Sequence, residues 1–185
     1  MLNPAGSDNA VEGGTAMEGT EVILTDMLQC RERRAEIQNQ YIKKYNCPVL
    51  SFCMNIPGPV KTNHQIRKAF EQGMEALFDA LSAQNIVIRE RMEIHEKTGD
   101  ELLMAVDCRA DLMKKITEEI EEIHKFGRLF DMDVIDMDGT KLSRKTYRKC
   151  LICDCQAQEC SRTRKHSIEE MQKRIEEILS TDRNS

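Results

Sequence analysis

The chain has 185 residues, 40% of them hydrophobic and 32% charged, with a formal net charge of −5, which is enough for one domain with a real core and a well-solvated surface. There is no Trp and aromatics are only 4%, so the core must come from Leu, Ile, Val and Met, and a single-strand nucleic-acid binder that stacks bases on rings is disfavoured. No stretch is long and apolar enough to cross a bilayer and no basic-then-apolar leader is present, so a cytoplasmic protein without a membrane partner is expected, whose eight Cys point to metal or reactivity rather than disulfides.

Residues 1–19 are rich in Gly, Ala, Asn and Thr with few apolar anchors, the composition of a disordered tail. Residues 20–185 read as a single domain. A helix is expected over 25–45, with Thr25 or Asp26 as N-cap and Leu28, Ile37 and Tyr41 as apolar points. Pro48 opens a strand over 49–55, which Pro57-Gly58-Pro59 ends. Ile66, Phe70, Met74, Leu77, Phe78 and Leu81 then recur at helical steps and share one face. Residues 86–94 alternate as a half-buried strand, with Ile86, Ile88, Met92 and Ile94 on one side. Thr98-Gly99-Asp100 is turn chemistry, and 102–106 is the next strand. Asp107 is a candidate cap for a helix whose face is Leu112, Met113, Ile116, Ile120 and Ile123. Gly127 stops that helix as its C′ residue, and a strand over 129–135 follows. Asp138-Gly139 signals a hairpin turn, from which 141–143 would pair back. A Cys/His-rich loop occupies 150–166. A last helix over 167–179 opens with the capping box Ser167 and Glu170. Strand, helix, strand, strand, helix, strand predicts an α+β domain of the ferredoxin-like βαββαβ kind. Its sheet would be antiparallel with both helices on one face, plus an N-terminal helix and a C-terminal Cys-rich segment and helix.

Three groups of residues could carry chemistry. Asp131 and Asp133 lie two apart on a strand, hence on one face and about 6.6 Å apart along it. Paired carboxylates repel unless a cation intervenes, and Mg²⁺ suits carboxylates plus phosphate oxygens; two aspartates facing water on the open side of the sheet are the plain alternative. Cys150, Cys153, Cys160 and His166 match a tetrahedral three-Cys, one-His structural zinc site, with Cys155 as a spare thiol and a metal-free reduced loop as the alternative. Residues 141–166 hold eight Lys and Arg against two acids, a local net of +6. That suits an anionic partner, although a charge run is also an ordinary solvated face. Lys61, Arg128, Arg144, Arg148 and Arg162 are the cations placed to meet phosphate; with the first and last strands as neighbours at the sheet centre, Lys61 and the aspartates would converge. His64, His95 and His124 read as ordinary surface or helix-end residues. No Walker A loop, dinucleotide fingerprint or Ser-His-Asp order is present.

Gly127-Arg128-Leu129-Phe130-Asp131-Met132-Asp133-Val134, then Ser143-Arg144, Cys150-Leu151-x-Cys153, Cys160-x-Arg162 and His166 resemble the signature of the apo-citrate lyase phosphoribosyl-dephospho-coenzyme A transferases. That family is also known as citrate lyase holo-acyl-carrier-protein synthases. Pro57-Gly58-Pro59-x-Lys61 and Glu32-Arg33 fit the same pattern, and the likeness spans about residues 25–180; Cys155 and the Gly-rich N-terminus stand outside it. The resemblance implies nucleotidyltransferase-type chemistry. A serine of the citrate lyase acyl-carrier (gamma) subunit attacks the α-phosphate of 2′-(5″-triphosphoribosyl)-3′-dephospho-coenzyme A, and diphosphate leaves. Asp131 and Asp133 would hold Mg²⁺ and serve the proton transfer, Lys61, Arg128, Arg144 and Arg162 would bind the donor, and the Cys/His segment would brace the basic lobe. Two rivals remain open: a zinc-stapled ferredoxin-like binding module without catalysis, and a nucleotidyltransferase with another donor. Few aromatics on the strands weigh against RNA as the partner.

Overall fold

The computed structural model describes residues 17–180. Most of the predicted tail, residues 1–16, lies outside that range; Met17, inside it, is buried in the core. The elements are α1 (Leu24–Tyr45), β1 (Val49–Met54), α2 (His64–Ala83), β2 (Val87–Glu96), β3 (Gly99–Asp107), α3 (Ala110–Ile123), a 3₁₀ turn (Gly127–Leu129), β4 (Phe130–Ile135), α4 (Ala157–Thr163) and α5 (Ile168–Ser180). The strands form one sheet in the order β2-β3-β1-β4, every neighbouring pair antiparallel.

Alternation decides what each face of this sheet meets. Leu50 and Phe52 of β1, Leu102, Met104 and Val106 of β3, and Phe130, Met132 and Val134 of β4 join Ile66, Phe70, Leu77 and Leu81 of α2 and Met113, Ile116 and Ile120 of α3 in one core. Both crossover helices therefore share a face. Helix α1 covers the other: Ile37 and Tyr41 pack on Val49, Leu103 and Ala105. Gly73 lets α2 sit close to the sheet, because a Cβ there would lie 2.7 Å from Phe52 Cζ and 2.8 Å from Phe130 Cζ.

Several local expectations are corrected. The four apolar residues expected on one side of β2 divide between faces. A register shift between Ile88 and Glu90 places Ile86 and Ile88 against the α2–α3 core and Ile94 against the α1 cluster. One extra residue flips every later side chain. Asp107 ends β3 and pairs with Arg89, so it caps nothing; Arg109 precedes α3. On α3 itself, Leu112 and Ile123 are exposed, and Lys114, Thr117 and Glu121 are buried instead. That stripe is turned toward β4, the strand with which α3 makes its main sheet contact. Gly127 is not a left-handed helix stop; it is glycine because a Cβ would strike the Glu121 carbonyl. Helix α1 begins at Leu24 after Ile23, whose N–H donates to Asp26 at 3.1 Å. The capping box of α5 is as expected: Glu170 N–H donates to Ser167 Oγ at 3.1 Å, and Ser167 N–H to Glu170 Oε2 at 2.7 Å.

Candidate functional site

The acidic pair sits on β4, which neighbours β1 as expected but is an outer strand and not one at the sheet centre. Phe130, Met132 and Val134 point into the core, at most 1% exposed. Asp131 and Asp133 take the opposite face and are half-buried. Register aligns Asp131 with Cys53 of β1, and Cys53 with Glu101 of β3. A row Glu101–Cys53–Asp131 thus crosses the sheet, and Cys53 Sγ lies 3.9 Å from Asp131 Oδ2. Glu101 is buried beneath α1, where Arg34 pairs with it and Cys30 Sγ donates to it at 2.7 Å. Burial first, then the Asp133 charge, raises Asp131 above the ordinary carboxylate range; Lys141 pulls it partly back. Burial pushes the Cys53 thiol up to about 12, so it stays neutral near pH 7. Lys141 Nζ lies 2.5 Å from Asp133 Oδ2. Its own burial disfavours the ammonium, but the hydrogen bond to Asp133 together with the charges of Asp133 and Asp131 outweighs it and raises the amine. Asp131 and Asp133 share Lys141, which hydrogen-bonds Asp133 and reaches Asp131 through its charge, and the two carboxyls could hold a dication between them.

The segment after β4 folds back along its edge. Asp136 N–H donates to Thr140 O at 2.8 Å, and Leu142 N–H to Val134 O at 2.8 Å, so the Asp138-Gly139 turn forms and Lys141 bridges back to Ile135. The next outward-facing amide of the strand, Met132 N–H, is taken by Glu121 Oε1 at 2.7 Å. Glu121 is 4% exposed; its other oxygen holds Arg144, and Arg148 approaches at 4.0 Å. One buried carboxylate of α3 therefore satisfies the strand edge and fixes two arginines. Together these elements enclose a cleft of about 710 Å³ lined by Asn55, Asp131, Asp133, Lys141, Arg144 and Arg148, among others. The sequence signal for Glu121 was its spacing: Lys114, Thr117 and Glu121 share a polar line at helical steps beside the apolar one.

The Cys/His segment is not all loop: α4 lies within it, and Cys160 falls on that helix. Cys150, Cys153, Cys160 and His166 bring their ligand atoms within 4.8 Å of one another. Cys153 Sγ is 3.5 Å from Cys160 Sγ and 3.2 Å from His166 Nε2, and tetrahedral zinc places its sulfur ligands about 3.8 Å apart. These residues therefore fit a metal such as zinc. Cys155 stands outside the set, exposed and 3.2 Å from Lys165 Nζ.

The predicted cations part company. Arg144 lines the cleft. Arg128 donates to the carbonyls of Lys149 at 2.5 Å and Cys150 at 2.9 Å, and Arg148 to Gly127 O at 2.8 Å; these two lock the start of the Cys segment onto the Gly127 turn. Arg162 is exposed on α4 and does not line the cleft. Neither does Lys61, whose Nζ donates to Ile56 O at 2.8 Å; burial, then Arg31, lowers its pKa. His95 is no ordinary surface residue: its Nδ1 lies 2.7 Å from the fully buried Asp100, which also accepts from Thr62 and Arg67.

A family model described as apo-citrate lyase phosphoribosyl-dephospho-CoA transferase matches residues 22–182. The chain belongs to that family. It is 35% identical over 162 residues, 85% of this chain and 91% of the relative, to the "Probable apo-citrate lyase phosphoribosyl-dephospho-CoA transferase" of Vibrio cholerae serotype O1 (strain M66-2). It is 31% identical over 163 residues, 86% of this chain and 89% of the relative, to the apo-citrate lyase phosphoribosyl-dephospho-CoA transferase of Escherichia coli O1:K1 / APEC. The matched range takes in β4, the segment after it and the Cys/His segment alike. No described helix is long and apolar enough to cross a membrane.

Proposed function

We propose that the protein transfers the phosphoribosyl-dephospho-coenzyme A group from 2′-(5″-triphosphoribosyl)-3′-dephospho-coenzyme A to a serine of the citrate lyase acyl-carrier subunit. The observation that carries this reading is the acidic pair on β4, opening into a cation-lined cleft, in a chain of this family. The serine Oγ attacks the α-phosphorus in line; the α–β bridging P–O bond breaks, its electron pair leaves with diphosphate, and the serine proton passes to a carboxylate or a water it orients. Burial, then the Asp133 charge, raises the Asp131 carboxyl above the ordinary carboxylate range, which suits it to a part in that proton transfer. Asp133 is held by Lys141. Arg144 and Arg148 stand where the donor phosphates would need positive charge. Mg²⁺ held by Asp131 and Asp133 would neutralise the triphosphate and the leaving diphosphate. Lys61 and Arg162 do not line this cleft, and the proposal gives them no part in it.

Zinc at Cys150, Cys153, Cys160 and His166 would staple the basic lobe in place. The chain order βαββαβ with spatial order β2-β3-β1-β4 supports a ferredoxin-like domain. Ile175 and Leu179 of α5 bury in the same core as α2 and α3, which supports one domain to the C-terminal helix. Family membership does not favour the non-catalytic binding module. The test incubates the protein with Mg²⁺, the triphosphoribosyl donor and apo acyl-carrier subunit, then weighs the carrier intact. A mass gain equal to the prosthetic group, lost in folded Asp131→Asn, is the expected result. No gain with donor and carrier that an active relative uses would overturn the proposal.

A further inference from the structure

A second groove, of about 670 Å³, lies against the Cys/His segment and is lined by Arg128, Arg148, Arg164, Leu151, Ile168 and Met171, among others. Asn55, Arg148, Ala157 and Ser161 line both this groove and the aspartate cleft, so the two are continuous. The chemistry of the walls differs. The cleft presents carboxylates and cations; no acidic residue lines the groove, which pairs guanidinium groups with aliphatic and thioether side chains.

Resting on the transfer reading above, we propose that this groove holds the non-reacting part of the donor, the adenosine diphosphate and pantetheine arm. The donor carries two phosphate groups: the triphosphate that reacts, and the internal diphosphate between adenosine and pantetheine. Two cationic compartments in line meet those two groups, and the apolar wall of the second meets the base and the arm. Arg128 and Arg148 each commit only a terminal nitrogen to backbone carbonyls. A guanidinium has five N–H donors, so both keep donors for phosphate. Arg164, exposed at the end of α4, has no ion-pair partner among the described residues. Part of the wall comes from Cys150, Cys160 and His166, so metal at that cluster would hold the groove preformed. A preformed concavity of several hundred Å³ suits a small molecule, whereas a carrier protein needs about 800 Å² of its own surface covered.

The probe is dephospho-coenzyme A, which lacks the triphosphoribosyl group and cannot react. Arg164→Glu and, separately, the half-exposed Ile168→Glu should each weaken its binding by calorimetry about tenfold or more and raise the donor KM to match. Because only uniform binding is lost, kcat should stay within about twofold, and the carrier KM should not change. Zinc content and circular dichroism certify that both variants are folded. Asp131→Asn should abolish transfer and leave dephospho-coenzyme A affinity as it was. Unchanged affinity and donor KM in both folded variants would overturn the proposal. A rise in carrier KM alone would overturn it as well, and would assign the groove to the carrier. Wild-type protein that binds dephospho-coenzyme A through Arg164 yet transfers nothing would instead overturn the transfer reading and leave the groove as a nucleotide site.

Discussion

Replacing Glu121 by alanine removes two things at once: the acceptor for Met132 N–H at 2.7 Å and the counter-charge of Arg144, whose side chain is only 18% exposed. Stranding one member of a buried ion pair costs about 3–5 kcal/mol, and an unpaired buried amide about 1–3 kcal/mol. The cleft beside β4 admits water, and Glu122 Oε1 stays 3.6 Å from Arg144 Nη1; these recover part of both costs, so the expected loss is about 4 kcal/mol. In a chain of this size that lowers the melting midpoint by about 8–16 °C. Glu121→Gln keeps an acceptor for Met132 and loses only the charge, so it should cost about 2 kcal/mol. Urea titration followed by far-UV circular dichroism measures both. Arg144→Met should then be far less damaging in the Glu121→Ala background than in the wild type, a coupling of about 2 kcal/mol. Additive losses, or a Glu121→Ala cost below about 1 kcal/mol, would refute the claim that this carboxylate organises the strand edge and its arginines.

Asp131→Asn should abolish transfer in the mass assay without destabilising the fold. Burial raises the folded-state pKa of Asp131, so its ionised form costs stability. That cost is absent below the ordinary carboxylate range of about 3.9, where folded and unfolded chains are both protonated, and grows as pH rises toward the raised value. The asparagine variant should therefore match wild type in urea at pH 3 and equal or exceed it at pH 7; a weaker variant at pH 7 would contradict the burial argument. Purified protein should bind one equivalent of zinc, lost in Cys153→Ser and kept in Cys155→Ser, and chelation should speed amide exchange over 150–166 while β1 to β4 stay protected. Gly73→Ala should destabilise by about 1–3 kcal/mol through overpacking on Phe52 and Phe130, despite alanine's better helix propensity; a stabilised variant would show that the sheet and α2 have slack between them.

Much of the site was legible along the chain. Alternation placed Asp131 and Asp133 on the face away from Phe130, Met132 and Val134, because a strand has a period of two wherever it sits. The cluster of Cys150, Cys153, Cys160 and His166 was also readable, since three thiols and an imidazole at short spacing are the residue types of a structural zinc site. The capping box of α5 is a contact between residues three apart, and needed nothing else. What the sequence could not supply is what depends on partners distant along the chain. The bulge after Ile88 turns on pairing with β3, so the apolar set of β2 divided between faces unannounced. Glu121 becomes an organising residue only because α3 lies beside the edge of β4. Arg128 and Lys61 carry the same charge as Arg144 in sequence, but their nearest acceptors are backbone carbonyls that the fold brings to them. Local periodicity and short-range chemistry are set by residue type; which cations face the cleft is set by where the tertiary structure leaves an unpaired oxygen.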